Sequence, residues 1–482
     1  MIDIRPVAHI IGLLTIALGV LMLAPAALDW SFGHDSALVF LLCGAATAVT
    51  GALIAVASLG STRAGLSLRQ TFLLTVATWV TMPMFGAVPF MLGAPGAGWT
   101  DAYFEAVSGI TTTGTTVFTG LDSMPPGVLL WRSMLQWLGG LGIIIVALIF
   151  LPVMKVGGMQ YFRSEAFDTM GKVMPRVLDI SRALVQTYLV LTAVAAGAYL
   201  AVGMSALEAL NHAMTTIATG GYSTSDESFV RFAGAAEYVA AALMVLAGLP
   251  FIRYVQLMGG SMRPILRDVQ VQAFLRWTFY AVAMVVAYRL VTAGDAVETV
   301  LRQSLFNVIS LFTGTGYGST DIDAWGDFPL LVVLVVGFIG ACTASTGCSI
   351  KVFRYLVLIE AVKARLKQLR HPSRVIPVRL GGRLVEEDVI SSVIFLFTLF
   401  ITSFMVLSVL LSLTGLETRT AITAAWTAIC NIGPAFGPEV GPTGAVDGFP
   451  MTAKWLMIAG MLLGRLEVMA FLVLLLPAFW RN

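Results

Sequence analysis

Charge is what this chain has least of. Of its 482 residues only 12% are Asp, Glu, Lys or Arg, against 58% hydrophobic, and the mean hydropathy is +0.88. So little charge on such long apolar runs excludes a soluble globular domain and marks a polytopic membrane protein. Histidine is scarce too, with four residues. Neither His212 nor His371 has a His, Cys or carboxylate at metal-ligand spacing, so both read as ordinary. The four cysteines, Cys43, Cys342, Cys348 and Cys430, also lack metal spacing, and they fall in apolar or loop stretches as reduced packing residues. No nucleophile–base arrangement and no phosphate-binding motif occurs, so neither an enzyme nor a cofactor is expected; no nucleic-acid partner is expected either, although the formal net charge of +2 by itself says nothing about partners. The first apolar run, from Val7, has no basic cluster or small-residue cleavage site before it and reads as a retained helix.

What charge there is lies unevenly. Ten expected spans leave segments at 1–6, 60–70, 154–182, 253–276, 350–388 and the C-terminus on one side, and these hold 22 of the 29 Lys and Arg residues. The opposite side holds Arg231, Arg302 and Arg419. The positive-inside rule then puts both termini in the cytoplasm. Acidic residues run the other way, from Asp101 to Asp447. They make either an acidic vestibule that concentrates cations or merely solvated outer loops.

Between the apolar runs stand four polar, glycine-centred breaks: SGITTTGTT at 108–116, IATGGYS at 217–223, FTGTGYGS at 312–319 and CNIGPAFG at 430–437. With Gly114, Gly220, Gly316 and Gly433 as reference points, they are spaced 106, 96 and 117 residues apart. Each break follows a segment too short to cross a ~30 Å core, beginning at Thr100, Ser205, Asp295 and after Glu417. Ser205 with Glu208, and Thr414 with Glu417, read as caps. The expected fold is an all-α polytopic membrane protein of four parallel repeats, each an outer helix, a half-helix with its glycine loop, and an inner helix. An accessory two-helix hairpin at 1–60 precedes repeats at 61–160, 161–262, 263–371 and 372–482. Inner helices are expected at Val128–Met154, Glu237–Met258 and Met451–Phe479. Irregular backbone at membrane depth survives only where it lines water or packs on protein, so four converging loops point to a pore.

The unit of outer helix, half-helix and inner helix, and the motifs FEAVSGITTTG at 104–114, GTGYG at 314–318, GCSIKVFR at 347–354, VIPVRLGG at 375–382 and GRLEV at 464–468, resemble the Trk/Ktr/HKT superfamily, of the TrkH type, over about 60–482. The resemblance implies channel-like K⁺ uptake by a homodimer in the lipid bilayer, controlled by a cytoplasmic TrkA-like nucleotide-binding ring. An H⁺- or Na⁺-coupled symporter with alternating access is the alternative.

Backbone carbonyls around Thr112, Thr113 and Gly114, Ala218, Thr219 and Gly220, Thr315 and Gly316, and Asn431, Ile432 and Gly433 are the expected K⁺ filter, because a row of carbonyls demands angles hostile to a β-carbon. Arg465, eleven residues beyond an interfacial Lys454 free to snorkel, falls near mid-membrane. There it is either a barrier in the pore or one half of a salt bridge to another helix. Gly340–Ser349 (GACTASTGCS) interrupts an apolar run, and through the resemblance Gly340, Ala344, Ser345, Thr346 and Gly347 belong to a gating loop; a kinked helix at a packing interface is the other reading. The basic stretch 363–383 faces either anionic headgroups or a partner.

Overall fold

The computed structural model describes residues 2–59, 66–150, 154, 157–161, 177–292 and 294–481. The basic turn at Arg63 lies outside them, as do residues 151–153 in the expected tail of the first inner helix.

The chain opens with a hairpin. Arg5–Leu21 runs on through Met22 into Leu23–Phe32, and Ser36–Ala57 returns alongside. Gly12 and Gly19 meet Gly51 and Gly44 across this pair. A β-carbon on Gly12 would stand 2.7 Å from the Gly51 carbonyl oxygen, and one on Gly51 2.7 Å from that of Gly12. Spaced seven residues apart on both helices, these glycines let the backbones touch, the small-residue packing that replaces a hydrophobic drive inside lipid. At the far end the buried Asp29 carboxylate accepts from the Ser36 hydroxyl at 2.7 Å and from the Gly127 amide at 2.5 Å. It thus caps the positive N-terminus of the next inner helix and ties the hairpin to it.

Four units follow. The first has an outer helix at Leu68–Leu92, a short helix at Trp99–Ile110 and an inner helix at Pro126–Ile145 that ends in a π-turn over Val146–Phe150. The second has Val177–Ala201, Ala206–Ile217, then Ala235–Ala247 and Phe251–Met258. The third has Val269–Thr292, Val297–Thr313, then Asp327–Ile339 and Val352–Arg370. The fourth has Glu387–Ser412, Thr418–Cys430, then Met451–Arg465 and Met469–Leu475. The short helices of 12, 12, 17 and 13 residues are ~18–26 Å long at ~1.5 Å per residue, less than a bilayer core. Among the described residues seven helices are long and apolar enough to span, nine if each bent pair counts as one. The tenth expected span is the shorter, interrupted Asp327–Ile339.

The structure corrects several local expectations. The second inner helix is not continuous from Glu237 to Met258: it turns by 91° at Gly248–Pro250, where proline has no amide to donate. The fourth turns by 111° after Arg465, with Glu467 and Val468 both at φ 55°. Thr414 does not cap the fourth short helix, its hydroxyl donating back to the Leu411 carbonyl of the outer helix at 2.6 Å; Glu417 is the N-cap, without a side-chain cap bond. The box of Ser205 and Glu208 does form, and Ser67 with Gln70 makes another. Lys454 does not snorkel but lies buried, its ammonium 2.7 Å from Asp101 at the start of the first short helix.

Candidate functional site

The four short helices end in one backbone pattern. A residue in the left-handed region follows each: Thr112 (φ 52°), Thr219 (φ 50°), Gly314 (φ 77°) and Asn431 (φ 51°). Two residues on stands a glycine with positive φ: Gly114, Gly221, Gly316 and Gly433. Between them, the amides of Thr113, Gly220, Thr315 and Ile432 donate to the carbonyls of Ser108, Thr215, Ser310 and Thr427 at 2.8, 2.8, 2.9 and 3.2 Å. Threonine is a β-branched residue that ordinarily avoids this region, so the surroundings impose the turn.

The pattern moves the second loop by one residue from the sequence reading. Gly221, not Gly220, matches Gly114. Gly220 matches Thr113, and Ala218 is the helix C-cap, matching Thr111. Two adjacent glycines left that register open in the sequence, and the Thr215 bond decides it.

The loops close a ring. A β-carbon on Gly114 would collide with the Gly220 carbonyl oxygen, one on Gly221 with that of Thr315, and one on Gly316 with that of Ile432. One on Gly433 would come within 3.1 Å of that of Thr113, which returns to the first loop. Each glycine therefore abuts the carbonyl that precedes the next glycine. The ring is locked sideways as well, by the Thr115 hydroxyl on the Gly433 carbonyl at 2.6 Å and the Asn431 amide on the Thr113 hydroxyl at 2.8 Å. A cavity of about 560 Å³ opens over it and is lined by all four glycines. The helix C-termini, each carrying about half a negative charge, converge on the ring.

The sequence reading missed the clamps behind these loops. Nine residues before its glycine, Glu105 accepts from Thr116 and Val117 at 2.9–3.0 Å, and His212 bonds Ser223 at 3.1 Å. Asn307, also nine before its glycine, accepts from the Ser319 amide at 3.1 Å and donates to the Ser319 hydroxyl at 2.9 Å, and in the fourth unit Thr423, ten before Gly433, bonds the Phe436 amide and carbonyl. His212, read as ordinary, is one of the four. Gln136 donates to the Gly220 carbonyl at 2.6 Å and accepts the Tyr222 amide at 3.0 Å. Its signal was a polar residue amid an apolar span. In the outer segments, the Thr420 hydroxyl holds the Glu439 carboxyl below its usual range. Burial raises that of Asp323 against the pull of Arg419.

Beneath the ring, the stretch 340–351 is not a kink. The helix stops at Ile339 and resumes at Val352, with positive φ at Gly340, Ala344, Ser349 and Lys351. Gly340, Ala344, Ser345, Thr346 and Gly347 are all buried. The broken second inner helix bonds this stretch: the Phe251 amide donates to the Ala344 carbonyl at 2.8 Å, and the Cys342 amide donates to the Gly248 carbonyl at 3.1 Å. Cys348 lies 3.6 Å from the Thr112 hydroxyl, directly under the first loop. Arg465 reaches the same place, its guanidinium 3.5 Å from the Thr346 carbonyl, 2.5 Å from the Cys348 sulfur and 5.5 Å over the Trp79 ring. Among the described residues no carboxylate pairs with it. Glu467 is taken by Arg354 at 2.5 Å.

The family model for TrkH, a cation transport protein, matches residues 45–481. The chain is 38% identical over 481 residues to the Trk system potassium uptake protein TrkI of Halomonas elongata, covering 99% of this chain and 97% of that one. It is 33% identical over 496 residues to TrkH of Escherichia coli K12, with 99% of each covered. Its structure superposes on the crystal structure of the potassium transporter TrkH from Vibrio parahaemolyticus with a TM-score of 0.91, at 30% identity and full coverage of both chains. The chain belongs to the TrkH family of cation transport proteins.

Proposed function

We propose that this protein takes up K⁺ through the ring of four glycine loops, in a channel-like manner. The single observation that carries the reading is the closed cycle from Gly114 to Gly220, Gly221 to Thr315, Gly316 to Ile432 and Gly433 to Thr113. Backbone carbonyls at one level from four chain segments can replace an ion's hydration shell. The filter segments are then 112–114, 219–221, 314–316 and 431–433. The relatives are named potassium uptake proteins, which agrees. The loop 340–351 together with Arg465 is the gate, since it lies against the underside of the first loop through Cys348. The basic side of the chain faces the cytoplasm of a bacterial inner membrane, with both termini there, and receives a TrkA-like nucleotide-binding ring; the working unit is a homodimer. Charge distribution and family support this arrangement.

Proteoliposomes loaded with K⁺ test the filter by ⁸⁶Rb⁺ uptake under Na⁺ and Li⁺ competition. The intact chain should take up Rb⁺ with Na⁺ and Li⁺ competing poorly. Gly114→Ser and Gly221→Ala should each narrow that preference, because the added β-carbon meets the next loop's carbonyl. Unchanged competition in both variants overturns the filter. Uptake in fixed stoichiometry with H⁺ or Na⁺ would make the protein a coupled carrier.

A further inference from the structure

Among the four clamps one differs in kind. Where the others are an imidazole, a carboxamide and a hydroxyl, the first unit uses a carboxylate, and that carboxylate is paired with a guanidinium. The Arg132 Nε lies 2.8 Å from the Glu105 Oε1, with both side chains buried at 1% and 0% exposure. Arg132 also donates to the Ser223 carbonyl at 3.0 Å and to the Thr116 hydroxyl at 3.2 Å, and its guanidinium lies 4.1 Å over the Tyr222 ring. The Tyr222 hydroxyl in turn donates to the Glu105 carbonyl at 2.8 Å. The pair therefore holds the segments leaving the first and second glycine loops at once. Arg132 is also part of the wall of the cavity that opens over the ring.

A neutral hydrogen bond would suffice to brace a loop, as Asn307 shows with Ser319. A buried ion pair at the mouth adds two opposing fields that cancel only while both partners are present. We propose that Glu105 and Arg132 are a positioning pair for ion selection: their bonds fix the spacing of the first two loops, and their cancelling charges set how strongly the mouth attracts a cation. This rests on the filter reading above.

Three charge-neutralising variants test it by ⁸⁶Rb⁺ uptake, with the melting temperature measured in parallel. Glu105→Gln leaves a lone positive charge and should raise the apparent KM for Rb⁺; Arg132→Gln leaves a lone negative charge and should lower it. The shift expected is about threefold to thirtyfold, what a unit charge exerts on a cation ~8 Å away between aqueous and protein-like surroundings. The double variant is neutral again, so its KM should fall between the two single ones, while loss of the charge-assisted bonds lets Na⁺ compete better. Single-variant KM values that move in the same direction, in step with lost stability, overturn the pair as an electrostatic element and leave it a structural brace. Where a stranded buried charge prevents a single variant from folding, the double variant decides: Na⁺ competition unchanged at a normal melting temperature overturns the proposal. Gly221→Ala runs alongside. If it alters competition and the pair variants do not, the pair fails and the filter stands. If it also changes nothing, the filter reading itself has failed.

Discussion

Arg465 is 97% buried, and its Nε and Nη2 have no hydrogen-bond partner among the described residues. A guanidinium in that condition is costly unless something else needs its charge. The salt-bridge alternative required a carboxylate, and the nearest in sequence, Glu467, is committed to Arg354. What Arg465 does touch is the stretch under the ring. On the conduction reading its charge opposes a cation at ~6 Å by ~3 kcal/mol at an effective dielectric of about 20. Arg465→Ala should therefore raise Rb⁺ flux about tenfold if half of that field survives screening, with melting close to normal, while Arg465→Lys keeps most of the barrier. Lost folding without faster flux in the alanine variant would make Arg465 a structural residue and sink the barrier.

Among the described residues three of the four inner helices are broken, at 248–250, 340–351 and 466–468, and the breaks serve one another. The second helix offers its Ala247 and Gly248 carbonyls to the stretch in the third, and Arg465 at the end of the fourth reaches its middle. Removing Ala344–Thr346 deletes the Phe251 bond to Ala344 and the Arg465 bond to the Thr346 carbonyl together. Basal flux should rise several-fold while the ring remains; a variant that folds and conducts no faster would make the stretch a mere packing insert. How much of this was legible follows from where the cause lies. The short helices were legible because length and polar content are local, and so was the break at 340–351, rich in small and hydroxyl residues. The turn at Gly248-Leu249-Pro250 carried a local signal that the surrounding apolar run outweighed. The turn at Leu466-Glu467-Val468 carries no glycine or proline at all. It is fixed from outside, by Arg354 bonding Glu467, the Gly157 carbonyl at 3.0 Å and the Ile350 carbonyl at 2.7 Å. The clamps were illegible because four different side chains do one job.

The whole molecule is stapled around its ring by ion pairs between successive units. Arg231 and Asp122 join the second unit to the first at 2.7 Å, Arg302 and Glu237 the third to the second, Arg419 and Asp323 the fourth to the third, and Lys454 and Asp101 the fourth to the first at 2.7 Å. The three arginines on the sparsely basic side of the chain are each one of these staples. Of the acidic residues there, Asp101, Asp122, Glu237 and Asp323 are paired in these staples, while Asp226, Glu227, Asp321 and Asp323 line the cavity over the ring. Burial should rank the staples. Arg231 and Asp122 are 50% and 45% exposed, so water and salt screen them, and Arg231→Gln should cost no more than about 1 kcal/mol. Glu237 is fully buried opposite an Arg302 that is 13% exposed. Arg302→Gln strands that carboxylate away from water and should cost about 3–5 kcal/mol. Thermal melts in detergent at low and high salt measure both. The expected pattern is a large drop for Arg302→Gln that salt barely alters, and for Arg231→Gln a small one that 0.5 M KCl abolishes, since the Debye length is then only ~4 Å. Equal losses at the two sites would mean that the ring is held by its apolar packing and that the staples only fix which unit neighbours which.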